Sequence, residues 1–380
     1  MGTKGDESNQ LILGQLKILF ERFHKKQIRK TELEKNLISY ARKTGFINNT
    51  YRKQAWNLLI NTSDDEQYTQ DQQQLKSHQY YEQTRLDVIR TLKRFPPNYS
   101  EAERSGLQDE LIVIINQILV KHRELHYYQG YHDICLTFLL VLGNELCVPI
   151  LDSITMSHLK YFMEPTMEKT RDSLNYLMPL INCIHSKCAE YMERGGVGHV
   201  IFALPWFITW YSHVLDELDV ILRLYDLFIV SDYLMPIYVA AEIVNYYGDE
   251  ILSQDCDMAT LHQYLSCLPT EIDTKVWETI IERASHLIDR HPPETLESLA
   301  SEWKIKCKHI EKSSPQSYLP QRANQLKTNS AKNLVKPSNV LSRVMFWSVA
   351  LAVGGLAIYL YNQSSAIDLN TFLNLGDIYR

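Results

Sequence analysis

The sequence predicts an all-α fold: one large multi-helix domain, then a flexible linker and one C-terminal transmembrane helix. Three observations carry this. Apolar residues recur at three- and four-residue spacing almost throughout, the period of a helix with one buried face. Runs of period two are absent, and only 14 of 380 residues are Gly, too few for an all-β or dinucleotide-binding design. Hydrophobic residues make up 45%, ample for a core and incompatible with a mainly disordered chain.

Taken in order, Leu11, Leu16, Leu19 and Phe23 predict an amphipathic helix or helix pair over residues 1–47. The first residues lack the apolar region of a signal peptide, and Asp6 stands where a myristoylation motif wants Ser or Thr, so the body is expected in the cytosol. One helical domain is predicted over residues 48–303. Breaks in the helical pattern of the body fall at Gly45, at Phe95 with Pro96 and Pro97, at Gly130, at 194–198 and at 291–293. Leu107, Leu111, Ile114, Ile115, Ile118 and Leu119 predict a helix over about 107–125. Gly130 should separate it from an apolar helix N-capped by Asp133.

Residues 304–343 are rich in Lys, Ser, Asn and Gln without an apolar period, and hold nine Lys or Arg against Glu311 alone. They read as a basic polar linker, whose residues 305–340 have a span of roughly 30–36 Å. Residues 344–361 carry no charge. At ~1.5 Å per residue they cover roughly 27 Å, close to the ~30 Å hydrocarbon thickness of a bilayer. Trp347 at one end and Tyr359 and Tyr361 at the other suit the two interfaces. The basic flank belongs on the cytosolic side, leaving 362–380 as a short lumenal tail.

The formal net charge is −6, which argues against a strongly basic nucleic-acid binder. That figure averages unlike parts: residues 1–303 hold 29 basic and 42 acidic residues, a balance of −13. Seven cysteines at 135, 147, 183, 188, 256, 267 and 307 include no C-x-x-C pair. They read as thiols packed like small hydrophobes, not as a disulfide framework or zinc site.

No G-x-S-x-G and no phosphate-cradling Gly-rich loop is present. His122, His126 and His132 have the ligand spacing of a zinc protease, but Arg123 stands where the general base belongs, which defeats that chemistry. No metal is expected. Two segments remain. Asp87 and Arg90 are i, i+3 neighbours on a predicted helix, so the carboxylate can steer a guanidinium whose planar fork suits phosphoryl oxygens. Gln129 sits in a turn among Tyr127, Tyr128 and Tyr131, and its amide could orient a water. Alone, the first reads as a solvated ion pair and the second as turn packing.

Together with others they form an ordered set. Arg52 and Trp56 are spaced R-x-x-x-W, Asp87 and Arg90 lie in D-x-x-R, and Tyr128, Gln129 and Gly130 spell Y-Q-G. Trp206 and Trp210 follow, then Arg223, Tyr225 and Asp226. Over about residues 50–295 the chain resembles the TBC-domain family, GTPase-activating proteins for Rab GTPases. It departs from the family pattern at Thr84, usually Ile, and at Tyr225, usually Trp. The resemblance implies that Arg90 enters the partner's site in trans as an arginine finger and that Gln129 positions the attacking water. Asp87 would orient Arg90, with Tyr128 and Gly130 supporting Gln129, while Arg52, Trp56, Trp206, Arg223 and Asp226 would be structural. GTP and Mg²⁺ would be carried by the partner, and no cofactor by this chain. The segment from Arg90 to Pro97, the segment from Tyr127 to Ile134 and the expected anchor resemble one membrane-anchored branch. That branch acts on the Rab of ER-to-Golgi traffic, implying an endoplasmic-reticulum location. The alternative is an anchored, non-catalytic scaffold for a small GTPase.

Overall fold

The computed structural model describes residues 4–313 except 61, 63–67, 94, 97 and 98. The linker from 314 onward, the predicted span 344–361 and the tail 362–380 lie outside the described residues. Among those described, no helix is long and apolar enough to cross a membrane, and no strand occurs.

Helices α1 (Lys4–His24) and α2 (Lys30–Lys43) pack together across a short turn. Leu16, Leu19 and Phe20 are buried, whereas Leu11 is exposed. This corrects the expected apolar set: five residues round a helix place Leu11 about 140° from Leu16. Helix α2 buries Leu33, Leu37 and Ala41 and lies against later helices of the chain. The pair thus belongs to one compact unit, Met1–Lys312.

Helix α3 (Asn49–Leu59) starts at Asn48, whose side chain accepts the Tyr51 N–H at 3.0 Å, a standard N-cap. After it come α4 (Gln72–Lys76), α5 (Tyr81–Leu92), α6 (Glu101–Lys121), α7 (Tyr131–Leu142) and α8 (Asn144–Ile154). Helix α6 begins and ends earlier than the apolar period suggests. Ser100 and Glu103 form a capping box that sets its start. Gly130 occupies the position before α7, so Asp133 is not its N-cap as expected; it lies inside the first turn.

The chain continues through α9 (Glu168–Leu174), α10 (Leu177–Ile184), α11 (Ser186–Arg194) and α12 (Leu204–Ile208). Then come α13 (Leu218–Phe228), α14 (Met235–Tyr246), α15 (Gly248–Leu252), α16 (Met258–Glu271) and α17 (Thr274–Arg290). Helix α14 packs against α10, α12, α16 and α17, and its residues from Met235 to Val244 are all buried. The last helix, α18 (Leu296–Ser313), runs ten residues past the expected domain end. Trp303 and Ile310 are buried along it, so residues 304–313 are helix, not linker.

One buried carboxylate joins distant parts of the chain. Asp226 on α13 accepts from Arg52 Nε at 2.9 Å and Nη2 at 3.0 Å, from Trp56 Nε1 at 2.9 Å, and from the Phe46 N–H at 3.0 Å. Gly45, at φ +68°, is needed here: a Cβ would come within 2.8 Å of Asp226 Oδ2. Arg223 donates to Glu278 Oε1 at 3.1 Å and to the Ala41 carbonyl at 2.8 Å. Trp56, Phe138, Trp210 and Tyr225 pack ring on ring beneath this network.

Candidate functional site

Helix α5 ends just after Arg90, and the turn before α7 presents Gln129. Both side chains are exposed, the Arg90 side chain to 68%. Arg90 Nη1 donates to Asp87 Oδ1 at 3.0 Å, and Asp87 itself is buried. The other Asp87 oxygen, Oδ2, accepts from the Tyr127 hydroxyl at 3.2 Å. A buried carboxylate therefore aims an exposed guanidinium while being fixed from the far side.

Tyr127 links the two segments. Its hydroxyl also lies 2.9 Å from His132 Nδ1, and the Gly130 N–H points at that same nitrogen at 3.4 Å. His132 Nε2 lies 2.9 Å from Thr91 Oγ1, one residue beyond Arg90. Thr91 has one hydroxyl proton and gives it to Asp133 Oδ1 at 2.9 Å, so His132 Nε2–H is the donor to Thr91. Asp133 Oδ2 pairs with His213 Nδ1 at 2.8 Å. Polar contacts thus link Arg90, Asp87, Tyr127, His132, Thr91, Asp133 and His213 in turn, the single Tyr127 hydroxyl proton serving Asp87 or His132 one at a time.

Burial pushes the Asp133 carboxyl up, but the neighbouring His132 and His213, with hydrogen bonds from His213 and Thr91, more than offset it. The group stays well below the usual carboxylate range. Burial first, then Asp87 and Asp133, raise the Tyr127 phenol well above its ordinary value, so it remains a neutral donor near neutral pH.

The Gln129 turn is held from both sides. The Tyr128 hydroxyl donates to the Ile208 carbonyl at 2.8 Å, and its ring packs against Tyr131 and Phe162. Gly130 sits at φ +116°, where a Cβ would meet Thr209 Cγ2 at 2.7 Å. Both restraints favour Gly and leave the Gln129 side chain pointing out of a rigid turn. Beyond Arg90, the Arg104 guanidinium donates to the Leu92, Pro96 and Tyr99 carbonyls, tying the end of α5 to α6.

The fold thus brings Asp87, Arg90, Tyr128, Gln129 and Gly130 onto one support. It gathers Arg52, Trp56 and Asp226, with Arg223 beside them, at a separate buried junction. Trp206 is buried elsewhere, against Phe202 and Tyr211. His122 pairs with Asp152 at 2.6 Å and His126 with the Tyr80 hydroxyl at 2.6 Å, while His132 serves the chain above. The three histidines do not converge. Sequence reading missed Thr91, His132, Asp133, His213 and Arg104 as supports; only their proximity to Arg90 and Gln129 could have hinted at the first three.

The Rab-GTPase-TBC domain family model matches residues 49–252. TBC1 domain family member 20 of Bos taurus and of Homo sapiens are each 44% identical over 253 residues, or 66% of this chain and 62% of theirs. The chain therefore matches somewhat under two thirds of the length of these relatives. GTPase-activating protein gyp10 of Schizosaccharomyces pombe is 28% identical over 234 residues, 60% of this chain and 62% of that protein. The solved RabGAP TBC domain of the Chlamydomonas flagellum has a TM-score of 0.53 at 15% identity, covering 79% of this chain and 95% of that one. That is a likeness of fold.

Proposed function

The chain belongs to the Rab-GTPase-TBC domain family, and from that premise we propose that it accelerates GTP hydrolysis by a Rab GTPase through two residues supplied in trans. What supports this most is the pairing of exposed Arg90 and exposed Gln129 on one hydrogen-bonded support. The partner brings GTP and Mg²⁺. Arg90, held by Asp87, offers a planar double donor to charge that builds on the transferring phosphoryl group, a contribution of roughly 10³–10⁵ in rate or about 4–7 kcal/mol. Gln129 offers a carbonyl and an NH₂ from a fixed turn, the pair of groups needed to orient an attacking water. This chain binds no cofactor of its own in that scheme.

We further propose attachment to the endoplasmic-reticulum membrane through residues 344–361, with residues 1–313 in the cytosol and the Rab of ER-to-Golgi traffic as partner. The uncharged run with a basic flank supports the attachment; the similarity to TBC1 domain family member 20 supports the branch.

The test is single-turnover GTP hydrolysis by a panel of Rab proteins with the full chain. Wild type should stimulate at least one Rab, and Arg90→Ala and Gln129→Ala should each lower that rate by two or more orders of magnitude. Arg90→Lys should fail nearly as badly, because an ammonium lacks the planar fork. Tight binding of a Rab without stimulation would replace this reading with the scaffold.

A further inference from the structure

The unit that ends near residue 312 is acidic, yet the turn between α1 and α2 is not. Residues 22–30 contain Arg22, Lys25, Lys26, Arg29 and Lys30, with His24 and no acid. All six of these side chains are exposed. Arg22 and Lys30 have distant carboxylate neighbours, Glu32 at 4.0 Å and Glu34 at 3.6 Å. Lys25, Lys26 and Arg29 have no acidic partner among the described residues. A solvated turn would gain nothing from so much like charge, which repels itself.

The backbone adds a second observation. Helix α1 closes with Gln27 N–H bonded to the Arg22 carbonyl at 2.8 Å and Lys26 N–H bonded to the Phe23 carbonyl at 2.8 Å. This is a Schellman motif, whose left-handed residue is usually Gly. Here it is Lys26, at φ +56°. A residue with a Cβ is disfavoured there, so the fold places a cation where glycine would be easier.

A third observation lies along α1. Leu11 and Ile18, 64% and 59% exposed, share one outward stripe with Arg22 and Lys25, at spacings of seven, four and three residues. Glu7 stands at the far end of that stripe. Two bare aliphatic side chains leading into a cationic turn make a helix that suits an interface plane, apolar atoms at the acyl boundary and cations at the headgroups.

We propose that the outer face of α1 and the α1–α2 turn form a docking surface for an anionic lipid bilayer. The occupant is a membrane, because exposed aliphatic side chains, Leu11 and Ile18, lead into an exposed cationic turn, the pairing that an anionic bilayer takes through its acyl boundary and its headgroups together. The proposal is independent of the catalytic reading. Its effect would be to set which way the helical unit faces on a membrane. At roughly 1 kcal/mol per Lys or Arg near such a surface, removing three charges should weaken docking roughly 100-fold.

The experiment mixes the full chain with vesicles of phosphatidylcholine, alone or with one fifth phosphatidylserine, and follows amide hydrogen exchange over residues 10–31. Because the readout is local, any attachment elsewhere in the chain does not produce it. Slowed exchange in this segment is expected on serine-containing vesicles only, fading at high salt, and Lys25→Gln/Lys26→Gln/Arg29→Gln should abolish it. Lys26→Gly is the sharper variant: it should raise the melting temperature while weakening docking roughly 5-fold. Equal protection on both lipid compositions, or protection that survives the triple substitution, would overturn the proposal. So would protection by soluble poly-glutamate with none by the vesicles, which would hand the turn to an acidic protein.

Discussion

Replacing Tyr127 by Phe separates support from chemistry. The substitution keeps the ring against Tyr80, Tyr131 and His132 and removes the hydroxyl that meets Asp87 and His132. A hydrogen bond to a charged acceptor is worth about 1.5–3 kcal/mol net. Asp87 remains bonded to Arg90 through Oδ1, so only part of that loss should reach the transition state. The stimulated rate at saturating Rab should fall roughly 5- to 100-fold, with the Rab concentration for half-saturation little changed. Single-turnover hydrolysis measures this, and a double-mutant cycle with Arg90→Ala locates it. If Tyr127 acts through Arg90, Tyr127→Phe should cost almost nothing once Arg90 is gone. An equal loss in both backgrounds would refute the positioning role and leave Tyr127 as a packing residue.

Three further outcomes follow from the geometry. Gly130→Ala meets both a positive φ and Thr209 Cγ2; the stimulated rate should drop by an order of magnitude or more, and Thr209→Ser, which removes the obstructing methyl, should restore it only in part. Asp226→Ala strands the buried Arg52 guanidinium and the Trp56 N–H; denaturant unfolding should show a loss of roughly 3–5 kcal/mol. Asp133 and Asp152 both titrate below the usual carboxylate range in the fold. A folded value below the unfolded one gives stability that is complete above the unfolded value, near pH 4, and lost as pH falls through the folded value. Unfolding free energy measured from pH 7 down to pH 2 should show that decline, and Asp152→Asn should flatten it.

Arg90 and Gln129 could be singled out in the sequence because each stands in a short motif. Asp87 and Arg90 are three residues apart, and Gln129 is flanked by the residues that shape its turn. The support was not legible, because its partners are far apart in sequence: Tyr127 meets Asp87 across 40 positions, Thr91 meets Asp133 across 42, and Asp133 meets His213 across 80. Local period correctly indicated helices and their breaks, yet it misplaced Leu11, which shares no face with Leu16. It also ended the domain too soon. Helix α18 is polar on most of its surface and docks by a narrow stripe that includes Trp303 and Ile310, seven residues apart, and such a stripe is easily lost among lysines.

Energetics explain why that division of labour arises. An ion pair with one exposed member adds little to stability, so Arg90 and Asp87 are poorly explained as a fastening for the fold. What Asp87 supplies is order: an Arg side chain carries about 2 kcal/mol of rotamer entropy, and fixing it beforehand spares that cost when a partner arrives. The carboxylate can do so only if it is itself immobile, which is why it is buried and held by Tyr127. The same reasoning applies to Gln129, whose backbone is fixed by Tyr128 and Gly130 while its amide stays free. Rigidity is concentrated in the buried groups Asp87, Tyr127 and Tyr128, and the two exposed side chains contribute little to the core. An arrangement of that kind fits residues lent to another protein's reaction better than residues retained for packing.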